Sequence, residues 1–167
     1  MKLKFFTPLA LVLGACLLLC GGPALAEDKG SIELASIAEV EAQEFNSEGQ
    51  RVTVRKPAGL VVPGKEVIYT TTYTNIGTAP AENVIITNPV PEHMVYKENS
   101  AAGQNTTIVF SIDNGKTYQT PDALFVKTAD GTTRPATASD YTHIRWTVTK
   151  PVSSGEKGVV SYRAILK

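Results

Sequence analysis

Beyond its first two dozen residues the chain alternates. Val67, Tyr69, Thr71 and Tyr73 fall in one phase and Ile68, Thr70, Thr72 and Thr74 in the other, a run so rich in β-branched and aromatic residues that strand is favoured over helix. Pro63-Gly64 before it and Asn75-Ile76-Gly77 after it are turn sequences. Val84 and Ile86 share a face in the next run, which Asn88-Pro89-Val90-Pro91 ends by removing backbone donors. A short strand is predicted around Met94 to Lys97. Further on, Ile108, Phe110 and Ile112 line one face of a run from Thr106, and Ile144, Trp146 and Val148 line another with His143, Arg145 and Thr147 opposite. In the last run Val160, Tyr162, Ala164 and Leu166 oppose Ser161, Arg163 and Ile165.

Ahead of this set, Ser31 to Phe45 and Arg51 to Lys56 flank a polar turn at Asn46-Ser47-Glu48-Gly49 and read as a hairpin or a pair of leading strands. Glu39, Glu41 and Glu44 would then face Arg51, Arg55 and Lys56 as solvent-exposed cross-strand pairs, worth a few tenths to about 1 kcal/mol each. A competing expectation is a short helix over Glu33 to Glu44, since Ala and Glu favour it. About eight to ten short strands and no confident helix predict an all-β fold, two antiparallel sheets packed face to face. Tyr69, Tyr73, Val84, Ile86, Phe110, Trp146 and Tyr162 are the expected core. Their aromatics are in phase with aliphatic neighbours, which favours core packing over a carbohydrate platform. Phe45, Tyr96, Tyr118, Phe125 and Tyr141 remain as exposed aromatics for a sugar-binding surface.

The start of the chain is a different material. Met1-Lys2-Leu3-Lys4 is basic, Phe5 to Cys20 is an almost unbroken apolar run, and Ala24-Leu25-Ala26 supplies small residues for cleavage before Glu27. Residues 1–26 therefore read as a secretory signal peptide, because an apolar run of about 16 residues falls short of the roughly 20 that span a bilayer. An alternative processing site is Leu13-Gly14-Ala15-Cys16, which resembles a bacterial lipobox and would anchor the chain by a lipid on Cys16. The divisions expected are 1–26 signal peptide, 27–56 leading strand or hairpin extension, and 57–167 sandwich domain. No second apolar span follows the signal peptide, so no transmembrane segment is expected after cleavage.

Charge and cysteine count narrow the function. The 167 residues carry 16 basic and 16 acidic side chains. Cleavage removes Lys2 and Lys4 and leaves a net charge near −2, so nucleic acid is excluded as a partner. Both cysteines, Cys16 and Cys20, lie in the signal segment, which leaves no disulfide or thiolate in a product starting at Glu27. His93 and His143 have no second ligand at a metal-binding spacing, and no hydrolase, zinc or nucleotide motif occurs. No catalytic residue, cofactor or metal is expected. A weak calcium site among Asp113, Asp122 and Asp130, and a Lys–Asn amide cross-link drawn from Lys65, Asn75, Asn83 and Asn88, are minor expectations.

Two resemblances follow from quoted residues. Val62-Pro63-Gly64-Lys65-Glu66-Val67-Ile68-Tyr69, Tyr73-Thr74-Asn75-Ile76-Gly77-Thr78-Ala79 and Asn83-Val84-Ile85-Ile86-Thr87-Asn88-Pro89-Val90-Pro91 make the stretch from Gly59 to Leu166 resemble the bacterial domain of unknown function eleven family. The family often has Asp where this chain has Asn88, and it often occurs in tandem where this chain has one copy. The resemblance implies an immunoglobulin-like sandwich, an extracytoplasmic structural or adhesive role at the cell envelope or surface, and no catalytic residues. Separately, Ser111-Ile112-Asp113-Asn114-Gly115-Lys116-Thr117-Tyr118 resembles the Asp-box, a hairpin element in which Ser111 and Asp113 bind the turn backbone, Gly115 takes positive φ and Tyr118 packs beneath. Asn114-Gly115 predicts a tight two-residue hairpin. The expected function is thus a non-enzymatic secreted or envelope interaction module acting through strand edges and loops, such as Pro89 to Pro91 and Ala123 to Ala138, with a carbohydrate-binding module as alternative. The residues name neither the partner nor the oligomeric state, although the leading strands raise the idea of pairing with a neighbouring copy.

Overall fold

A computed structural model describes residues 31–167. The expected signal peptide, its cleavage point before Glu27 and the alternative lipidation site at Cys16 lie outside the described residues. The strands are β1 (Ile32–Phe45), β2 (Arg51–Pro57), β3 (Glu66–Asn75), β4 (Ile85–Pro89), β5 (Met94–Tyr96), β6 (Ala102–Gly103), β7 (Thr106–Ser111), β8 (Phe125–Lys127), β9 (Thr133–Pro135), β10 (His143–Val148) and β11 (Lys157–Leu166). A single 3-10 turn at Pro121–Ala123 is the helical content of the described residues, so none of them forms a helix long and apolar enough to cross a membrane.

All pairings are antiparallel, as the alternating pattern with one wet face requires. A large sheet runs β2-β1-β3-β11-β5, with β6 also on β11. A small sheet runs β4-β10-β7, and β8-β9 is a separate ribbon. The two main sheets pack into a β-sandwich. Ile86, Ile144 and Trp146 from the small sheet meet Tyr73, Val160, Tyr162 and Ala164 from the large one, most of them fully buried. The seven expected core residues all belong to this cluster, Tyr69 as a half-buried member.

The alternation is realised strand by strand. Tyr162 pairs with Tyr69 across β11 and β3, and the two rings stack at 4.9 Å. Gly158 pairs with Tyr73, whose ring lies where a Cβ would project, 2.1 Å from it. Asn75 ends β3 as a fully buried polar residue with every group used: its amide nitrogen donates to the Ala79 and Val152 carbonyls, and its carbonyl accepts from Gly77 N–H. That side chain ties the turn after β3 to the chain entering β11.

Three expectations are corrected. The helix over Glu33–Glu44 does not form, because Ile32–Glu39 pair with β3 and Glu39–Phe45 with β2. Two ladders satisfy the backbone of this segment and override a propensity difference of tenths of a kcal/mol per residue. The expected loop Ala123 to Ala138 contains the β8-β9 ribbon. In the leading hairpin, Glu41 faces Arg55 and Lys56 pairs diagonally with Glu44, but Glu39 lies opposite Pro57, and Arg51 stacks on Phe45 at 5.9 Å.

Candidate interaction site

The small sheet has three strands and cannot cover the six of the large one, and the excess falls on β1. Leu34 pairs with Tyr73 and Ser36 with Thr71, so these β1 side chains share the inner face of the sheet. Tyr73 and Thr71 are buried there, while Leu34 is 51% exposed. Beyond Ile32, which packs against the core, the inner face of β1 is therefore left uncovered at Leu34, and the sandwich is open along the side bounded by β1 and β4.

A cleft of about 260 Å³ occupies this opening. Tyr69 and Tyr162 form its floor and Pro89 and Pro91 one wall. The Tyr162 hydroxyl donates to the Pro89 carbonyl at 2.6 Å, pinning β4 to the large sheet, and burial pushes the phenol well above its ordinary pKa. Ser36 and Thr71 share a hydrogen bond at 2.8 Å, and the Asn88 amide donates to Thr71 Oγ1 at 2.8 Å. This chain crosses from β1 through β3 to β4. It holds hydroxyls and an amide with no imidazole or carboxylate beside them, so nothing in it activates a nucleophile.

β1 and β4 also leave backbone groups unpaired. The Ser31 carbonyl binds Ile76 N–H on the β3 side and the Ala38 carbonyl binds Ala58 N–H on the β2 side, so groups alternate between edges along β1. The N–H and C=O of Ile32, Leu34 and Ser36 thus face the β2 side, where β2 has already ended opposite Glu39. On β4, Val84 O and Val90 N–H bind the β10 side, so Ile85 and Thr87 face outward. Among the described residues no strand pairs with either set.

The Ser111–Tyr118 residues are brought together as a self-contained loop. Ser111 Oγ donates to Asp113 Oδ1 at 2.7 Å and accepts from Gly115 N–H at 2.9 Å, while Asp113 accepts from the Lys116 and Thr117 amides and from the Thr117 hydroxyl. These bonds, led by those from Thr117, hold the Asp113 carboxyl well below the usual carboxylate range. Asn114 and Gly115 both take positive φ, at 60° and 81°. The tight two-residue hairpin is corrected, however: the loop closes on the Phe110–Gln119 bridge, eight residues wide. Side chains of Ser111 and Asp113 replace the backbone ladder inside it. Tyr118 packs under the Arg145 guanidinium at 3.5 Å.

The other candidates are scattered or spent on structure. Tyr96 and Tyr141 pack with Phe110 in the core, so of the five exposed aromatics expected, Phe45 and Phe125 are the ones more than half exposed. They sit apart in the strand order, on β1 and β8. Asp130 accepts from Thr128 and Thr132, and no group of three metal-binding side chains occurs among the described residues. Lys65 donates to the Glu41 carbonyl, beside the opposite end of β3 from Asn75. Arg163 joins Glu41 and Glu66 on the outer face of the large sheet, and Glu66 also holds Lys97.

In the sequence Thr71 is in phase with Tyr69 and Tyr73, but no local pattern marks Ser36, Thr71 and Asn88 as a unit. The signal was a polar residue inside an aromatic face. Comparison with protein-family models, with curated proteins and with solved structures gives no match to this chain.

Proposed function

We propose that this chain is a non-enzymatic, extracytoplasmic interaction module of the immunoglobulin-like kind, which engages other envelope or secreted components through the open side of its sandwich. The observation that carries this reading is the mismatch between the sheets, which leaves the inner face of β1, two unpaired strand edges and an aromatic-floored cleft on one side. Edges of this kind are the surfaces to which extended segments add. The polar clusters elsewhere speak for the same reading, because Asp113, Asp140 and Asn75 spend their hydrogen bonds on the chain's own turns. The resemblance to the domain of unknown function eleven family and the signal-peptide pattern support the compartment.

The test is site-specific photo-cross-linking in the cells that make the protein. A benzophenone side chain at Leu34, on the open side, is expected to give a discrete adduct in the envelope or secreted fraction. The same group at Thr107, on the outer face of the small sheet, is expected to give none. Equal labelling at Leu34 and Thr107, or an enzymatic activity abolished by Ser36→Ala, overturns the reading.

A further inference from the structure

The strand edges of this sandwich are not equally guarded. Natural sheets protect edges with lysine, proline, bulges or shortness. The free edge of β2 carries Arg51, Arg55, Lys56 and Pro57. That of β4 offers only Ile85 and Thr87 before Pro89, whose carbonyl is taken by Tyr162. β5 and β6, at the far side of the large sheet, are three and two residues long. β7 is followed by the Ser111–Tyr118 loop, which folds back to bridge Phe110 with Gln119. The stretch Ile32–Ile37 of β1 has none of these devices. Its sequence is Ile-Glu-Leu-Ala-Ser-Ile, with Leu34 at 51% and Ile37 at 55% exposure.

From this edge we infer that the partner on β1 is a second copy of the chain, paired antiparallel through Ile32–Ser36 about a two-fold axis at Leu34. The inference specifies the partner within the interaction-module reading and rests on it. In this register Leu34 meets Leu34 and Ile32 meets Ser36, all residues whose N–H and C=O point out of the edge. Each of the six outward backbone groups on one copy finds its complement on the other. On the opposite face Glu33 meets Ala35 and Ile37 meets Ser31, so no like charges stand opposite one another.

Neighbouring registers fail. A shift of two residues one way sets Glu33 against Glu33, and a shift the other way demands Ala38, whose carbonyl already binds Ala58 N–H. In each copy the β2 side is occupied from Ala38 onward, which bounds the vacancy beyond Ser36 and with it the register. An isologous contact of this kind joins the two large sheets into one continuous sheet and closes on itself without forming a fibre. An edge contact alone buries less than a standard interface, so association is concentration-dependent and reversible.

Sedimentation equilibrium of the purified processed protein, over a range of concentrations, reads the association directly. The expected result is a mass rising from one to two chains. Leu34→Lys, which sets two cations against each other at the axis, is expected to keep the protein at one chain with unchanged circular dichroism. Leu34→Pro removes a donor that faces the empty edge and not β3, and is expected to do the same. Thr87→Lys on the β4 edge should leave the dimer intact. A single-chain mass at every concentration overturns the inference, as does a dimer that survives both Leu34 variants. A Leu34 cross-link in cells to a protein of different mass would then leave the interaction-module reading standing while removing the self-pairing.

Discussion

The two long sides of this sandwich are built from similar sequence and end differently. On the closed side, β3, β10 and β11 bring Trp146, Tyr162, Ile144 and Val160 together with essentially no exposure. On the open side, β1 has the same alternation, yet Leu34 on its inner face is more than half exposed and none of its residues is buried. The difference lies in what faces the strand, because alternation specifies which side chains share a face and the number of strands in the opposing sheet decides whether that face is covered. A fold that covers one flank and leaves the other bare concentrates its stability in the first.

Substitutions should therefore separate the two sides. Trp146→Ala on the closed side is expected to cost about 3–5 kcal/mol in denaturant unfolding, the range for removing a buried large aromatic. Gly158→Ala should cost roughly 1–3 kcal/mol, since the added methyl must displace the Tyr73 ring lying against it. Ser111→Ala, which removes the buried hydroxyl anchoring the Asp113 loop, is expected to cost about 1–2 kcal/mol. On the open side, Leu34→Lys should change stability by no more than about 0.5 kcal/mol while abolishing association. A large loss of stability at Leu34 would remove the contrast.

Acid sharpens the same comparison. Asp140 is held below its ordinary 3.8 first by the paired hydrogen bonds of Arg134 and then by Thr137. Burial pulls the Glu66 carboxyl upward, but hydrogen bonds from Arg163 and Lys97 outweigh it and leave it below 4.5. A carboxyl with a lowered folded pKa releases its proton more readily in the folded state, so its stabilisation is complete above the ordinary value and fades as pH falls through the folded one. The melting temperature is accordingly expected to stay level above about pH 5 and to decline below pH 4. Scans across that range read the slope, which Asp140→Asn should flatten.

How much of this was legible in the sequence varies with segment length. β3, β10 and β11 span six to ten residues, long enough for period-two alternation to show, and each folds with the face assigned to it. β6, β8 and β9 have two or three residues, too few for any period, and β9 ends in a proline that reads as loop. Asn114-Gly115 signalled positive φ correctly, but the loop width depended on Ser111 and Asp113 substituting side-chain bonds for backbone ones. The open side was the least legible part. Whether Leu34 is covered depends on the strand order of the opposite sheet, which no local pattern encodes.

Amide hydrogen exchange along β1, resolved residue by residue in dilute protein, tests the central claim most directly. If this edge is unpaired, the amides of Ala35 and Ile37, which point at β3, exchange slowly, while those of Leu34 and Ser36 exchange fast. Uniform protection of Leu34, Ala35, Ser36 and Ile37 in the single chain would show that the edge is already covered, and would contradict the account.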